Sequence, residues 1–337
     1  MATIRSTSLA VIGVTAALLA GCGSSGNDGS ASSSQQQQFV VADALIAPVD
    51  FLQKNVDTFK DALRARVEAA GKRVTFKDFN AQGQVSNVAT IDNQIANLDP
   101  DLVYAVGTPL VVGYVQQDPQ TPMVFGAMTD PVGAKLADSL EQPGANATGT
   151  TDGVPAATTL DLVKQVLPDA KTIGTVINNS EANSTAQVDA LKAEAAKRGM
   201  DVQVKAVVST GDVASAIRAL HVDALVVLAD NTVFSALATV SQTARELKLP
   251  TFTPAGASNA EQGILVGYGV DYAELGRRAG AQAASILLDG KDAGSVPVQG
   301  LATGAPLVVG LNAATAKAIG VELPADLRKD ASKVYDG

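Results

Sequence analysis

Short apolar runs alternate with longer amphipathic stretches along most of this chain. The runs at 39–45 (FVVADAL), 73–79 (RVTFKDF), 102–107 (LVYAVG) and 123–128 (MVFGAM) read as strands. Helical periodicity fills 51–70, 84–97 and 109–117 between them. A hairpin sheet would carry two-residue turns and strict apolar–polar alternation, and this pattern has neither. Strand then helix, repeated, builds right-handed βαβ units around a parallel sheet.

The rhythm breaks once, across the Gly- and Pro-rich passage 129–155, and then resumes. Helix 156–167, strand 172–178, helix 184–198, strand 201–208, helix 212–220, strand 224–230, helix 232–247 and strand 251–255 follow in turn. Two similar α/β units separated by a breaker passage predict two lobes with a cleft between them. A chain of 337 residues exceeds the usual size of one compact domain, which agrees. The tail adds a strand at 264–271, a helix at 272–289, a strand at 307–312 and a last short helix. Residues 264–271 are read as crossing back, so that the tail completes the first lobe.

The first 22 residues, MATIRSTSLAVIGVTAALLAGC, carry one early charge, Arg5, then an apolar run and small side chains, which is the layout of a secretory signal. The end of that run, Leu19 to Cys22, resembles the lipobox of bacterial lipoproteins. The resemblance implies a signal peptide over 1–21, cleavage before Cys22 and diacylation of its sulfur. Two acyl chains hold a protein on a membrane stably where one does not. Residues 22–38, rich in Gly, Ser and Gln, read as a flexible tether that cannot build a core. Cys22 is the only cysteine and His221 the only histidine, so an intrachain disulfide is excluded and no metal or Cys/His catalytic site is expected. The net charge of −9, with no basic patch, argues against nucleic acid as a partner.

In open α/β sheets ligands bind outside the carboxyl ends of the strands, so the residues that follow each strand are the candidates. They are IAPVDF (46–51), GTPLVVG (107–113), TDPVG (129–133), NSEANS (179–184) and DNTVF (230–234). Thr108 and Thr129 suit an anionic ligand group, because a helix start offers unsatisfied N–H groups and a partial positive charge. Asp130, Asp230 and Asp271 suit a ligand cation. The alternative is plain capping. Thr108, Ser184 and Asn231 sit where helix caps sit, Ser184 to Gln187 fits the S-x-x-Q capping box, and Pro109 fits the first helical turn. Polar residues recurring at several strand ends in both units favour a site. G-x-S-x-G, H-E-x-x-H and P-loop motifs are absent from the sequence and GTPLVVG (107–113) lacks the G-x-G-x-x-G spacing, so neither catalysis nor a bound cofactor is expected.

The segments 125–149 (FGAMTDPVGAKLADSLEQPGANATG), 177–200 (INNSEANSTAQVDALKAEAAKRGM), 223–237 (DALVVLADNTVFSAL) and 267–291 (GYGVDYAELGRRAGAQAASILLDGK) together resemble the tryptophan/tyrosine-type substrate-binding proteins of ABC transporters. These belong to the type I periplasmic binding proteins, and the resemblance spans 39–312. It implies two Rossmann-like lobes with parallel sheets, 39–148 plus 268–337 and 149–267, joined by three hinge crossovers near 146–151, 252–256 and 264–271. It implies a monomer that is not an enzyme, that closes on a small carboxylate-bearing ligand and delivers it to a membrane permease with its ATPase. A ligand sensor of the same fold, feeding a membrane receptor, is the first alternative, and an enzyme on a two-lobed α/β scaffold is the second. Carried over residue by residue, Thr108 and Thr129 would take the ligand carboxylate, and Asn183, Ser184, Asp230 and Asn231 would close from the second lobe. Tyr268 and Asp271 would flank the hinge, and Tyr104, Phe51 or Phe234 would meet an apolar side chain. The chain departs from the family at 254–258, PAGAS, where members often carry an acidic Ser-Asp pair.

Overall fold

The computed structural model describes residues 37–117 and 120–336, so Cys22, the signal segment and nearly all of the tether lie outside the described residues. The first sheet is formed by β1 (Gln38–Leu45), β2 (Arg73–Asn80), β3 (Leu102–Val106), β4 (Met123–Gly126) and β5 (Ala147–Gly149), all parallel, in the order β2-β1-β3-β4-β5. Helices α1 (Asp50–Ala69), α2 (Val88–Leu98) and α3 (Thr108–Gln117) make its crossovers. The second unit begins with α4 (Ala156–Val166) and continues through β6 (Thr172–Ile177), α5 (Ala182–Lys197), β7 (Asp201–Ala206), α6 (Val213–Arg218) and β8 (Ala224–Val226). Next come α7 (Asn231–Phe234), α8 (Leu237–Glu246), β9 (Thr251–Thr253) and β10 (Val266–Gly269). The tail supplies α9 (Tyr272–Asp289), β11 (Val308–Asn312), α10 (Ala313–Ile319), α11 (Ala325–Asp330) and β12 (Lys333–Tyr335). The second sheet runs β12-β11-β10-β9-β8-β6-β7, with only the β10–β11 pair antiparallel.

The expected two-lobed α/β fold is present, and both sheets share one topology. Read from its far edge, β7-β6-β8-β9-β10 repeats the order of β2-β1-β3-β4-β5. The strand order therefore reverses beside β1 and β3 in one lobe and beside β6 and β8 in the other, which opens a crevice at each point. Strands β3 and β4 are buried along their whole length, which explains why they read as continuous apolar runs. Helix α1 buries Leu52, Val56, Phe59, Leu63 and Val67, spaced three or four apart, as one stripe.

The tail differs from the expectation. Where the sequence reading assigns 268–337 whole to the first lobe, the structure divides it. Helix α9 packs on α1 in the first lobe, so closely that a Cβ on Gly276 would lie 2.2 Å from the Asn55 carbonyl oxygen. The chain stays there as far as Gln299, whose N–H donates to the Gly149 carbonyl. Strands β11 and β12 then join the second sheet, and Ala316, Ile319, Leu323 and Leu327 pack into its core. The crossings accordingly fall at about 150–155, 270–271 and 300–307, and not at 252–256, because β9 is held between β8 and β10 of one sheet. A short apolar strand such as LVVGLN carries no mark of which sheet will accept its edge. The helix expected over 232–247 is also broken at Ser235–Ala236, since its first turn is tied down by two acidic side chains described below.

Candidate functional site

The two crevices face each other across a narrow cleft whose cavity volume is only about 20 Å³, so a ligand must part its walls to enter. Its first-lobe wall comes from the residues after β1 (Phe51, Leu52), after β3 (Gly107, Thr108) and after β4 (Ala127, Thr129). Its second-lobe wall comes from the residues after β6 (Asn183) and after β8 (Ala229, Asn231, Phe234). Asp152 from the first crossing and Tyr272 from the start of α9 complete it. The Phe51 ring meets Phe234 edge-on at 5.1 Å across the lobes and Tyr272 at 4.7 Å. One end of the cavity is therefore aromatic.

The other groups are polar and mostly acceptors. Asp152 is 7% exposed. Its Oδ2 accepts a 2.6 Å hydrogen bond from the Tyr272 hydroxyl, while Oδ1 finds no hydrogen-bond partner among the described residues. Burial pushes its pKa up to about 6, against the pull of the Tyr272 and Thr129 hydroxyls. Tyr272 is itself driven well above the usual phenol value by burial and by the Asp152 charge. The Thr129 neighbourhood is fixed to this crossing, because Met128 N–H donates to Thr150 and the Thr151 hydroxyl donates to the Thr129 carbonyl. Asn183 donates Nδ2 to the Ala229 carbonyl, and its buried Oδ1 finds no partner among the described residues. Thr108 begins α3, so the positive end of that helix points at the cavity.

Of the residues singled out in the sequence, Thr108, Thr129, Asn183, Asn231, Phe51 and Phe234 line the cavity. The others are placed elsewhere. Asp230 is fully buried behind the wall, where it accepts from Asn178 N–H (2.6 Å), the Ser184 hydroxyl (2.7 Å) and Val233 N–H (2.9 Å). Ser184 thus lies inside α5 and bonds to Asp230 where the capping box was expected, and Gln187 clasps the Ala229 backbone. Burial, and then the charge of Glu181, raise the Asp230 pKa. Asp130 is exposed and closes its own turn onto Gly133 N–H, Pro109 follows Thr108 in α3 without lining the cavity, and Asp271 caps α9 at the surface. Tyr268 is wholly buried in the second core. Tyr104 stacks on Phe59 at 3.6 Å in the first and donates to Asn55. Sequence reasoning missed Asp152, Tyr272 and Glu181. The strand-end rule would have found Asp152, had the three-residue strand β5 been recognisable inside a Gly/Pro passage.

The family profile for "ABC transporter substrate binding protein" matches residues 41–335. The chain belongs to that family. A tyrosine-binding protein of Clostridioides difficile (strain R20291) is 34% identical over 296 residues, covering 86% of this substrate-binding protein and 84% of the relative. Among solved structures, an ABC domain from Streptococcus pneumonia in complex with L-Trp is 30% identical, with a TM-score of 0.79 over 88% of this chain and 100% of that one. A ligand-free, open substrate-binding protein with adhesive properties from Clostridium difficile is also 30% identical, with a TM-score of 0.62 over 89% and 100%. The fold is that of the type I periplasmic binding proteins, and the relatives are substrate-binding proteins, not enzymes. No helix among the described residues is long and apolar enough to cross a membrane.

Proposed function

We propose that this substrate-binding protein is the extracytoplasmic solute-binding component of an ABC importer and that it closes its lobes on an aromatic α-amino acid. The observation that carries this reading is the division of one cavity into three chemistries. The α3 start with Thr108 and Thr129 suits a carboxylate, Asp152 Oδ1 and Asn183 Oδ1 suit an ammonium, and Phe51, Phe234 and Tyr272 suit a ring. An ammonium is an all-donor group and an unpaired buried carboxylate oxygen is an acceptor held ready for it. The tyrosine-binding relative and the L-Trp complex support the same class. Closure is supported by contacts that bridge the lobes, the Phe51–Phe234 ring pair and the Gln262 Nε2 to Asp50 Oδ2 hydrogen bond of 3.2 Å. At equal identity, the resemblance is greater to the L-Trp complex than to the open, ligand-free structure.

Because the Phe51 and Phe234 rings touch, a ligand ring must part them, and its burial replaces their contact. Closure then follows from contacts that the ligand makes to both lobes at once. Calorimetric titration with L-tyrosine, L-tryptophan and L-phenylalanine should show micromolar or tighter binding for at least one of them. No heat with any of the three would refute the reading. We assign the anchor to Cys22, diacylated after signal cleavage, with 22–38 as the leash, and the membrane permease with its ATPase as the recipient of the ligand. Cys22→Ser should shift the protein from the membrane to the soluble fraction, and unchanged membrane association would refute the anchor.

A further inference from the structure

Glu181 is fully buried in the middle of the NNSEANS loop, and among the described residues no cation pairs with it. Four donors satisfy its carboxylate. Oε2 accepts from Asn231 N–H (2.9 Å) and Asn231 Nδ2 (2.6 Å), and Oε1 accepts from Thr232 N–H (3.0 Å) and the Thr232 hydroxyl (2.9 Å). Two of the four are backbone N–H groups, one on each oxygen, and a backbone N–H can only donate. Both oxygens are thus held as acceptors. The atom of the Asn231 amide that faces it must therefore be the nitrogen, since the flipped amide would set oxygen against oxygen. With Nδ2 bonded to Glu181, the end of the amide left for a ligand is Oδ1, on a residue that lines the cavity.

We infer that Glu181, which touches no ligand, is a positioning residue that fixes the polarity of Asn231, so that the cavity presents it as an acceptor and selects ligands bearing an ammonium. The inference rests on the amino-acid reading above and deepens it. Asn231 Oδ1 joins Asp152 Oδ1 and Asn183 Oδ1 as a third acceptor, which matches the three N–H bonds of an α-ammonium. Ligands that lack the ammonium leave those acceptors unpaired and are rejected. Glutamine at 181 carries one acceptor and one donor. Turned so that its amide NH2 faces Asn231, it lets the Asn231 amide flip and offer a donor to the cavity instead.

The test is the ratio of affinities for an amino acid and its deaminated analogue, measured by calorimetry with L-tyrosine against desaminotyrosine and L-tryptophan against indolepropionic acid. E181Q should weaken amino-acid binding about tenfold or more while affecting the analogue less, so that the ratio shrinks. In an N231A background, E181Q should leave the ratio where N231A put it, as expected when one residue acts through the other. Asn231→Thr keeps a donor for Glu181 but has no side-chain carbonyl, so it should reproduce the shrunken ratio in a chain whose buried carboxylate remains partnered. A wild-type ratio in E181Q or N231T, or an equal loss for both ligands, overturns the inference alone. Failure of the wild-type protein to bind any aromatic amino acid overturns the parent reading.

Discussion

Asp152→Asn is expected to weaken aromatic amino-acid binding by about a hundredfold while leaving the protein folded. The side chain keeps its shape, so the hydrogen bond from Tyr272 can be retained on the amide oxygen. What is lost is the charge, and the amide NH2 that replaces one oxygen opposes an ammonium where the carboxylate attracts it. A second signature comes from pH. Burial pushes the Asp152 carboxyl up to about 6, and only its ionised form holds an ammonium well. Wild-type affinity should be flat above about pH 7 and fall towards tenfold per unit below about pH 6, with the ligand ammonium charged throughout. Asp152→Asn should show no such fall. The stability sign is opposite. A carboxyl whose folded-state pKa is raised opposes folding once it ionises, so Asp152→Asn should melt no lower than wild type at neutral pH. Calorimetric titrations at several pH values check both parts, and an unchanged affinity in the variant would remove Asp152 from the site.

The placement of that carboxylate shows how far the sequence could be read. Strand-then-helix order fixed the parallel sheets and put the candidates at the strand ends, and Thr108, Thr129, Asn183 and Asn231 do reach the cavity from there. The same rule could not separate Asp230 from Asn231 or Ser184 from Asn183. Neighbours in sequence face opposite ways at a helix start, and one of each pair, Asp230 and Ser184, turned inward to bond each other. Residue type was a poor guide there, because an aspartate at a strand end serves a ligand or its own loop with equal chemistry. The departure at 254–258 pointed away from an ammonium partner in that loop, and the acidic group lining the cavity comes instead from Asp152 at the first crossing. Tyr272 was hidden because it reads as the first residue of an ordinary capped helix. The tail was misplaced for a different reason. Helix α9 carries small residues that fit α1, while β11 pairs antiparallel to β10 through backbone groups that any apolar strand possesses.

A second large effect belongs to a residue far from the ligand. Asp92 on α2 is 1% exposed, and neither carboxylate oxygen finds a hydrogen-bond partner among the described residues. The glycine face of α3 approaches it so closely that a Cβ on Gly113 would lie 2.3 Å from Oδ2. Burial alone raises its pKa to about 7. Between the unfolded value near 3.8 and about 7, the folded protein binds the proton that the unfolded chain has released. Its contribution to stability therefore falls as pH rises through that window and stays low above it. Asp92→Asn removes the titration. The variant should match wild type near pH 4 and exceed it by about 1–2 kcal/mol near pH 8, allowing for solvent that reaches the helix seam. Asp43, Asp152 and Asp230 are raised by burial in the same direction and keep their slopes in both proteins, so the difference between the two isolates Asp92. Urea denaturation of both proteins across this range measures it, and a difference independent of pH would mean that Asp92 ionises alike in the folded and unfolded chain, so that burial does not shift it. Asp92 lies on the helix packed against α3, whose first residue lines the ligand cavity. Its ionisation therefore sets an unpaired charge in the seam beside the helix that the ligand carboxylate is proposed to use, and the variant removes that charge without touching the cavity.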